Sequence, residues 1–240
     1  MNLKDFLTSE GRLKFRIGRS TKTLLERYAQ HDARMEAVDK LQGIGTPEAI
    51  YALARRFSAT SENLGIDQEE KKHVQDVLVG FGELAVEPLK RYIRNYDKVT
   101  WGIDALKQIV SRDDLIPFLF EVLKEGDPVY IRGEKANQIM RALEHLNDPS
   151  VVAGVIPCLQ SPDDTVRFVA VECLAAYGDE LAREPLLDAL VSENEDSARV
   201  KTRISEALEK LDWDVKGYRK KVEAVLPQPF RVTSKGRVVR

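Results

Sequence analysis

The sequence predicts an all-α fold, a solenoid of about six helical hairpins. Three observations predict it. A small-residue/leucine anchor returns six times, at Leu41, Leu78, Leu106, Leu143, Leu174 and Leu208, with spacings of 37, 28, 37, 31 and 34 residues. A second apolar segment keeps step with it, opened by Pro88, Pro117, Pro157 and Pro185. No credible strand pattern lies between them, and two helices per repeat of this length mean an α-solenoid.

The elements follow in chain order. Residues 1–31 read as an N-terminal extension with a capping helix around 20–30. Before that helix, GRLKFRIGR alternates Leu13, Phe15 and Ile17 with Lys14, Arg16 and Arg19, a period that predicts an extended segment. Residues 32–226 hold the hairpins. In the fifth, Ala170, Cys173, Leu174 and Tyr177 fall at i, i+3, i+4 and i+7, one face of a helix. Asp163 or Asp164 is placed to cap its N-terminus. Gly45, Gly82, Asn147 and Gly178 fill the break within four of the repeats, residues suited to a helix C-terminus. The prolines of the second segment suit a first helical turn, where no backbone donor is lost. Pro227 and Pro229 end the last helix, and residues 227–240 read as a mobile basic tail with four basic residues and no acid.

The repeat carried by Asp164, Val166, Arg167, Ala170, Leu174 and Gly178, then Pro185, Leu186 and Leu190, resembles the HEAT repeat family. The family includes the HEAT-like repeats of bacterial and phycobilisome-lyase-related proteins. The resemblance is strongest over residues 128–211 and extends over 32–125. It implies a right-handed α-solenoid of HEAT-like hairpins. It also implies that Arg167, in a first turn where a cation opposes the helix dipole, pairs with an aspartate of an adjacent repeat, making Asp164 and Arg167 part of a structural ladder. Arg34 and Lys201 occupy the same slot in the first and sixth repeats.

Charge is segregated along the chain. Residues 1–60 carry eleven basic and seven acidic side chains, 111–196 seven and eighteen, and 197–240 twelve and five. Such asymmetry steers partners. No window approaches the ~20 apolar residues of a membrane span, and MNLKDFLTSEGRLKFR lacks a signal-peptide core, so a cytoplasmic location is expected, with no membrane partner. Cys158 and Cys173, the only cysteines, fall on core columns and are expected to be buried.

Catalytic chemistry finds no support. His31, His73 and His145 form no HExxH spacing, and GRSTKT at 18–23 lacks the pattern of a phosphate loop. HEAT-type metal hydroxylases repeat a His-Glu motif that is missing here. HEAT-like DNA glycosylases pair tryptophans with an aspartate, as Trp101 and Asp104 do. Their likeness stops there, because only Trp213 remains and the middle repeats are acidic. The expectation is therefore a non-enzymatic scaffold without cofactor or metal, binding a protein partner through the concave ridge of second helices. A nucleic-acid-binding protein using the basic ends is the second reading, and a bilin-lyase-like protein the third. Aligning the second helices puts Arg55, Arg91, Phe120, Gln160 and Asp188 in one outward column. The partner-binding candidates are Arg55, Arg56, Lys90, Arg91 and Arg94 as a basic ridge, with Phe120 as an exposed aromatic anchor.

Overall fold

The computed structural model describes residues 8–125 and 133–240. Thirteen α-helices are present among them: α1 Ser9–Leu25, α2 His31–Ile44, α3 Pro47–Ala54, α4 Leu64–Gly80, α5 Val86–Asn95, α6 Thr100–Leu106, α7 Arg112–Glu125, α8 Gly133–Glu144, α9 Ser150–Val155, α10 Asp164–Tyr177, α11 Arg183–Val191, α12 Ala198–Lys210 and α13 Arg219–Val225. A two-stranded antiparallel ribbon, β1 Arg231–Val232 and β2 Val238–Val239, follows. The helices form stacked hairpins in two compact units, Met1–Leu115 and Ile116–Arg240.

In the first unit the leading helices stack α2 on α4 on α6, and the trailing helices α3 on α5. In the second, α8 packs on α10 and α10 on α12, with α11 between α12 and α13. The six anchor leucines are the centre of this packing: Leu41, Leu78, Leu106, Leu143, Leu174 and Leu208 are each 0% exposed. The break residues explain the hairpins. Gly45, Gly82, Asn147 and Gly178 all have positive φ, between 51° and 64°. A left-handed residue ends the helix ladder and turns the chain back. At the other end of α10, Asp163 accepts the Thr165 amide at 2.7 Å, so Asp163 is the cap and Asp164 is left for another partner.

Four expectations are corrected. Residues 11–19 are helical, not extended, and no separate helix covers 20–30; α1 runs unbroken from Ser9 to Leu25. Thr8 caps it through the Gly11 amide, and its buried face is Gly11, Ser20, Thr21 and Leu24. GRSTKT thus lies within α1, where its amides belong to the helix. Pro117 sits inside α7, beyond the first turn, whereas Pro88 and Pro185 are each third in their helices. Cys158 is only half-buried, although Cys173 is buried, with its thiol pushed up to about 12 by that burial.

The fourth correction is the tail, which packs instead of hanging free. Gln228–Pro229 is cis, Gly236 closes the turn by donating to the Thr233 carbonyl, and Phe230 and Val238 are 5% and 2% exposed. Arg240 pairs with Glu206 at 2.6 Å and lies over the Phe230 ring. The physical cause is burial of apolar surface, about 1.5–3 kcal/mol for one full Phe or Val side chain. Deleting residues 228–240 will therefore lower the thermal midpoint by several degrees, at about 2–4 °C per kcal/mol for a chain of this size. A melting curve unchanged by the deletion would show that the ribbon contributes nothing.

Candidate functional site

Four of the candidate residues, Arg55, Lys90, Arg91 and Arg94, lie at least partly exposed in the first unit. Arg91 is exposed on α5, its guanidinium 4.1 Å above the Tyr51 ring of α3. Lys90 is half-buried beside Glu87 at 3.4 Å, and Arg94 is half-buried one turn further on. Arg55, just past the end of α3, is half-buried, and its Nε is buried with no hydrogen-bond partner. In the same outward column Gln160 and Asp188 are exposed.

Arg56 does not belong to that surface. It is 1% exposed and points inward. The helix ends at Ala54 and the chain tightens into a 3-10 turn over Arg55–Ser58, so adjacent arginines leave in different directions. Phe120 is also corrected. It is half-buried in the second unit, over the backbone of Gly154 in α9: a Cβ added at Gly154 would stand 2.2 Å from its Cζ. The ring fills the space that the glycine leaves. Gly154→Ala is therefore expected to destabilise by ~1–3 kcal/mol through overpacking, although alanine is the better helix former. Adding Phe120→Ala to that variant should recover part of the loss. Two independent, additive effects in denaturant titrations would contradict this contact.

Arg56 enters a buried ion network that the sequence reading missed. Arg56 Nη2 donates to Asp67 at 2.6 Å and to Glu70 at 2.9 Å. Arg34, in the first turn of α2, places Nε and Nη2 on the two Glu70 oxygens, both at 2.8 Å. Its Nη1 reaches the carbonyl of Ala29. His31 Nδ1 lies 2.8 Å from Glu70, and Lys71 donates to Asp67 at 2.6 Å. Burial alone would raise both carboxyls. Hydrogen bonds from Lys71, Arg56 and the Ser61 amide outweigh it and hold Asp67 at about 2. Those from Arg34, Arg56 and His31 hold Glu70 below the usual carboxylate range.

The second unit repeats the device once. Arg167 forks onto Glu195 at 2.8 and 2.9 Å, and its Nη1 donates to the Ser161 and Pro162 carbonyls. The acceptor is a glutamate, where the resemblance implied an aspartate. Asp164 instead receives Arg199 and the Ser197 hydroxyl, which hold its carboxyl below the ordinary value. In both units one arginine thus fastens a leading helix to the next repeat and to its own preceding loop.

Beside the ridge, α1 and α3 enclose a groove of about 370 Å³. Lys14 and Lys22 of α1 face Arg55 and Tyr51 across it, over a floor that includes Ile17 and Leu25. Glu48 is the only acid in its lining. On the other side of α1 a groove of about 450 Å³ carries Arg16, Arg19 and Lys40, the last already paired with Glu36 at 2.8 Å.

Among the described residues no group of three or more His, Cys, Asp or Glu could hold a metal ion. His73 and His145 are exposed. Trp101 of α6 stacks on Phe57 of the 3-10 turn Arg55–Ser58, ring centroids 6.1 Å apart and planes at 18°. No helix of the described residues is long and apolar enough to cross a membrane. Residues 116–209 match the family described as HEAT repeats, a stretch that opens with the second unit. No curated protein matches the chain. The chain thus carries a HEAT-repeat-like helical region within a fold of stacked helical hairpins.

Proposed function

We propose that this protein is a scaffold that binds another protein through the basic face of its first unit, and that it carries out no reaction of its own. The observation that carries the reading is the set Lys90, Arg91 and Arg94 on α5 with Arg55 just past the end of α3, and the Arg91 guanidinium lying over the Tyr51 ring. Arginine beside an aromatic is the usual energetic centre of an interface. A cation–π contact of this kind also costs the partner less ordering, because the side chain is already oriented.

The second reading, binding of nucleic acid by the basic ends, draws less support. Arg240 is engaged by Glu206 and Glu209, and Arg237 lies 3.5 Å from Asp212, so part of the C-terminal charge is met within the chain. The test is capture of the physiological partner by wild type and by Arg91→Glu. On this reading the variant loses capture while keeping its melting temperature. Binding to nucleic acid would instead fall steeply and log-linearly with salt. Unchanged capture by Arg91→Glu would remove the ridge from the interface.

A further inference from the structure

We propose that the groove between α1 and α3 takes an acidic, partly apolar peptide segment of the partner, with Arg55 as its carboxylate-binding residue; this rests on the protein-binding reading above. Three observations converge on it. The first is charge: Lys22 and Arg55 line the groove together with Lys14, which pairs with Glu10 at 2.6 Å, and Glu48 is the one acid of the lining. The second is the orphan donor. Arg55 Nε is buried and makes no hydrogen bond. A buried donor without an acceptor costs free energy in the unbound protein, and a turn of the half-buried Arg55 side chain toward a carboxylate in the groove removes that cost. A guanidinium fork and a carboxylate also match in geometry, two parallel hydrogen bonds to two oxygens. The third is the apolar floor, Ile17, Leu25 and Ala52, which has no use for a purely ionic ligand.

The chemistry favours a peptide over a nucleic acid strand. Single-stranded nucleic acid is held by bases stacked on open aromatic faces. The groove's one aromatic ring, Tyr51, already has the Arg91 guanidinium on its face. The groove on the other side of α1 has no buried unpartnered donor in its lining, and that lining holds no aromatic.

The test is fluorescence anisotropy on the full chain with three labelled probes at low salt: a short peptide of glutamate and leucine, its glutamine counterpart, and oligothymidylate. The glutamate peptide binds, and the glutamine peptide binds about tenfold more weakly or worse, since the charge-assisted bond is lost. Arg55→Met weakens the glutamate peptide by about tenfold. Lys22→Glu, at an exposed position that carries no packing, weakens it too and guards against a folding defect in the first variant. Lys220→Glu, an equal charge change in the second unit, leaves it within about twofold. Equal binding of the two peptides, or wild-type affinity in both Arg55→Met and Lys22→Glu, would overturn the proposal, as would tighter binding of oligothymidylate. If the peptide fails to bind while Arg91→Glu still abolishes partner capture, the groove assignment is wrong and the ridge stands.

Discussion

Glu70→Ala will lower the stability of the protein by ~3–5 kcal/mol, the cost of removing one partner from a buried ion pair. Glu70 is 0% exposed and accepts from Arg34, Arg56 and His31. Without it, Arg56 and Lys71 share the buried carboxylate of Asp67, and Arg34 loses the carboxylate it forks onto. Each guanidinium keeps its carbonyl contacts, Arg34 with Ala29 and Arg56 with Ala59, but Arg34 loses its counter-charge and Arg56 keeps Asp67 alone. Glu195→Ala should cost less, because Arg167 retains the Ser161 and Pro162 carbonyls and has Asp196 at 3.5 Å. Coupling is the sharper check. Arg34→Met in the Glu70→Ala background should recover part of the loss, since an apolar replacement removes the charge that Glu70 had paired. A Glu70→Ala protein within ~0.5 kcal/mol of wild type would show that the network contributes nothing.

The same network sets the acid limit. Asp67 is held at about 2, below its ordinary value near 4, so folding favours its ionised form. That contribution is complete above about pH 4 and is lost as the pH falls through about 2. Glu70 is shifted in the same direction and adds to the loss. Acid titration followed by circular dichroism should find the first unit failing in this window, and Asp67→Asn should flatten the dependence.

Leu174→Ala will cost ~2–5 kcal/mol, the range for emptying a fully buried leucine site. Leu174 is 0% exposed in α10, between α8 and α12, and lies in the carbonyl register that Gly178 closes. Leu181, seven residues later in the following 3-10 turn, is 67% exposed. Leu181→Ala should stay within ~0.5 kcal/mol. Two leucines in one repeat, separated by about an order of magnitude in effect, would show that the repeat register has been read correctly. Comparable losses at both positions would mean the register is wrong.

The contrast shows what kind of information the sequence carries. Leu174 and its five counterparts were legible because a leading helix buries one face at a fixed period, and the turn after it demands a left-handed residue. Both are local signals. Helix α1 was misread for the same reason. Its visible alternation of Leu13, Phe15 and Ile17 looks extended, while the face it buries is Gly11, Ser20, Thr21 and Leu24. Small polar residues let helices approach closely but leave no hydrophobic period. The tail was missed because its strands are two residues long, too short for alternation to show. Val232 and Val238 flanking the Gly236 turn were the available hint.

The arginines mark the harder limit. Arg55 and Arg56 are neighbours, yet one reaches a groove and the other the core. Arg56 meets Asp67 and Glu70, eleven and fourteen residues on, only because α4 folds back against it. A lone arginine reads as solvated until its carboxylates are placed. The matching slot of Arg34 and Arg167 was a usable signal for the ladder. It could not name the acceptors, because Glu70 and Glu195 lie at different distances from their arginines. The groove, similarly, joins Lys22 of α1 to Arg55 beyond α3, a juxtaposition that belongs to tertiary packing alone.

The most direct measurement of the binding account is a photo-cross-linking map in the native cell. A photoreactive residue is placed at position 22, 91 or 220, one protein at a time. Positions 22 and 91 lie on the groove and ridge of the first unit, and 220 is exposed in the second. The account predicts one protein adduct shared by 22 and 91, enriched in acidic residues at the cross-linked peptide, and none from 220. A protein adduct from 220 with none from 22 or 91, or adducts to nucleic acid from all three, would contradict it.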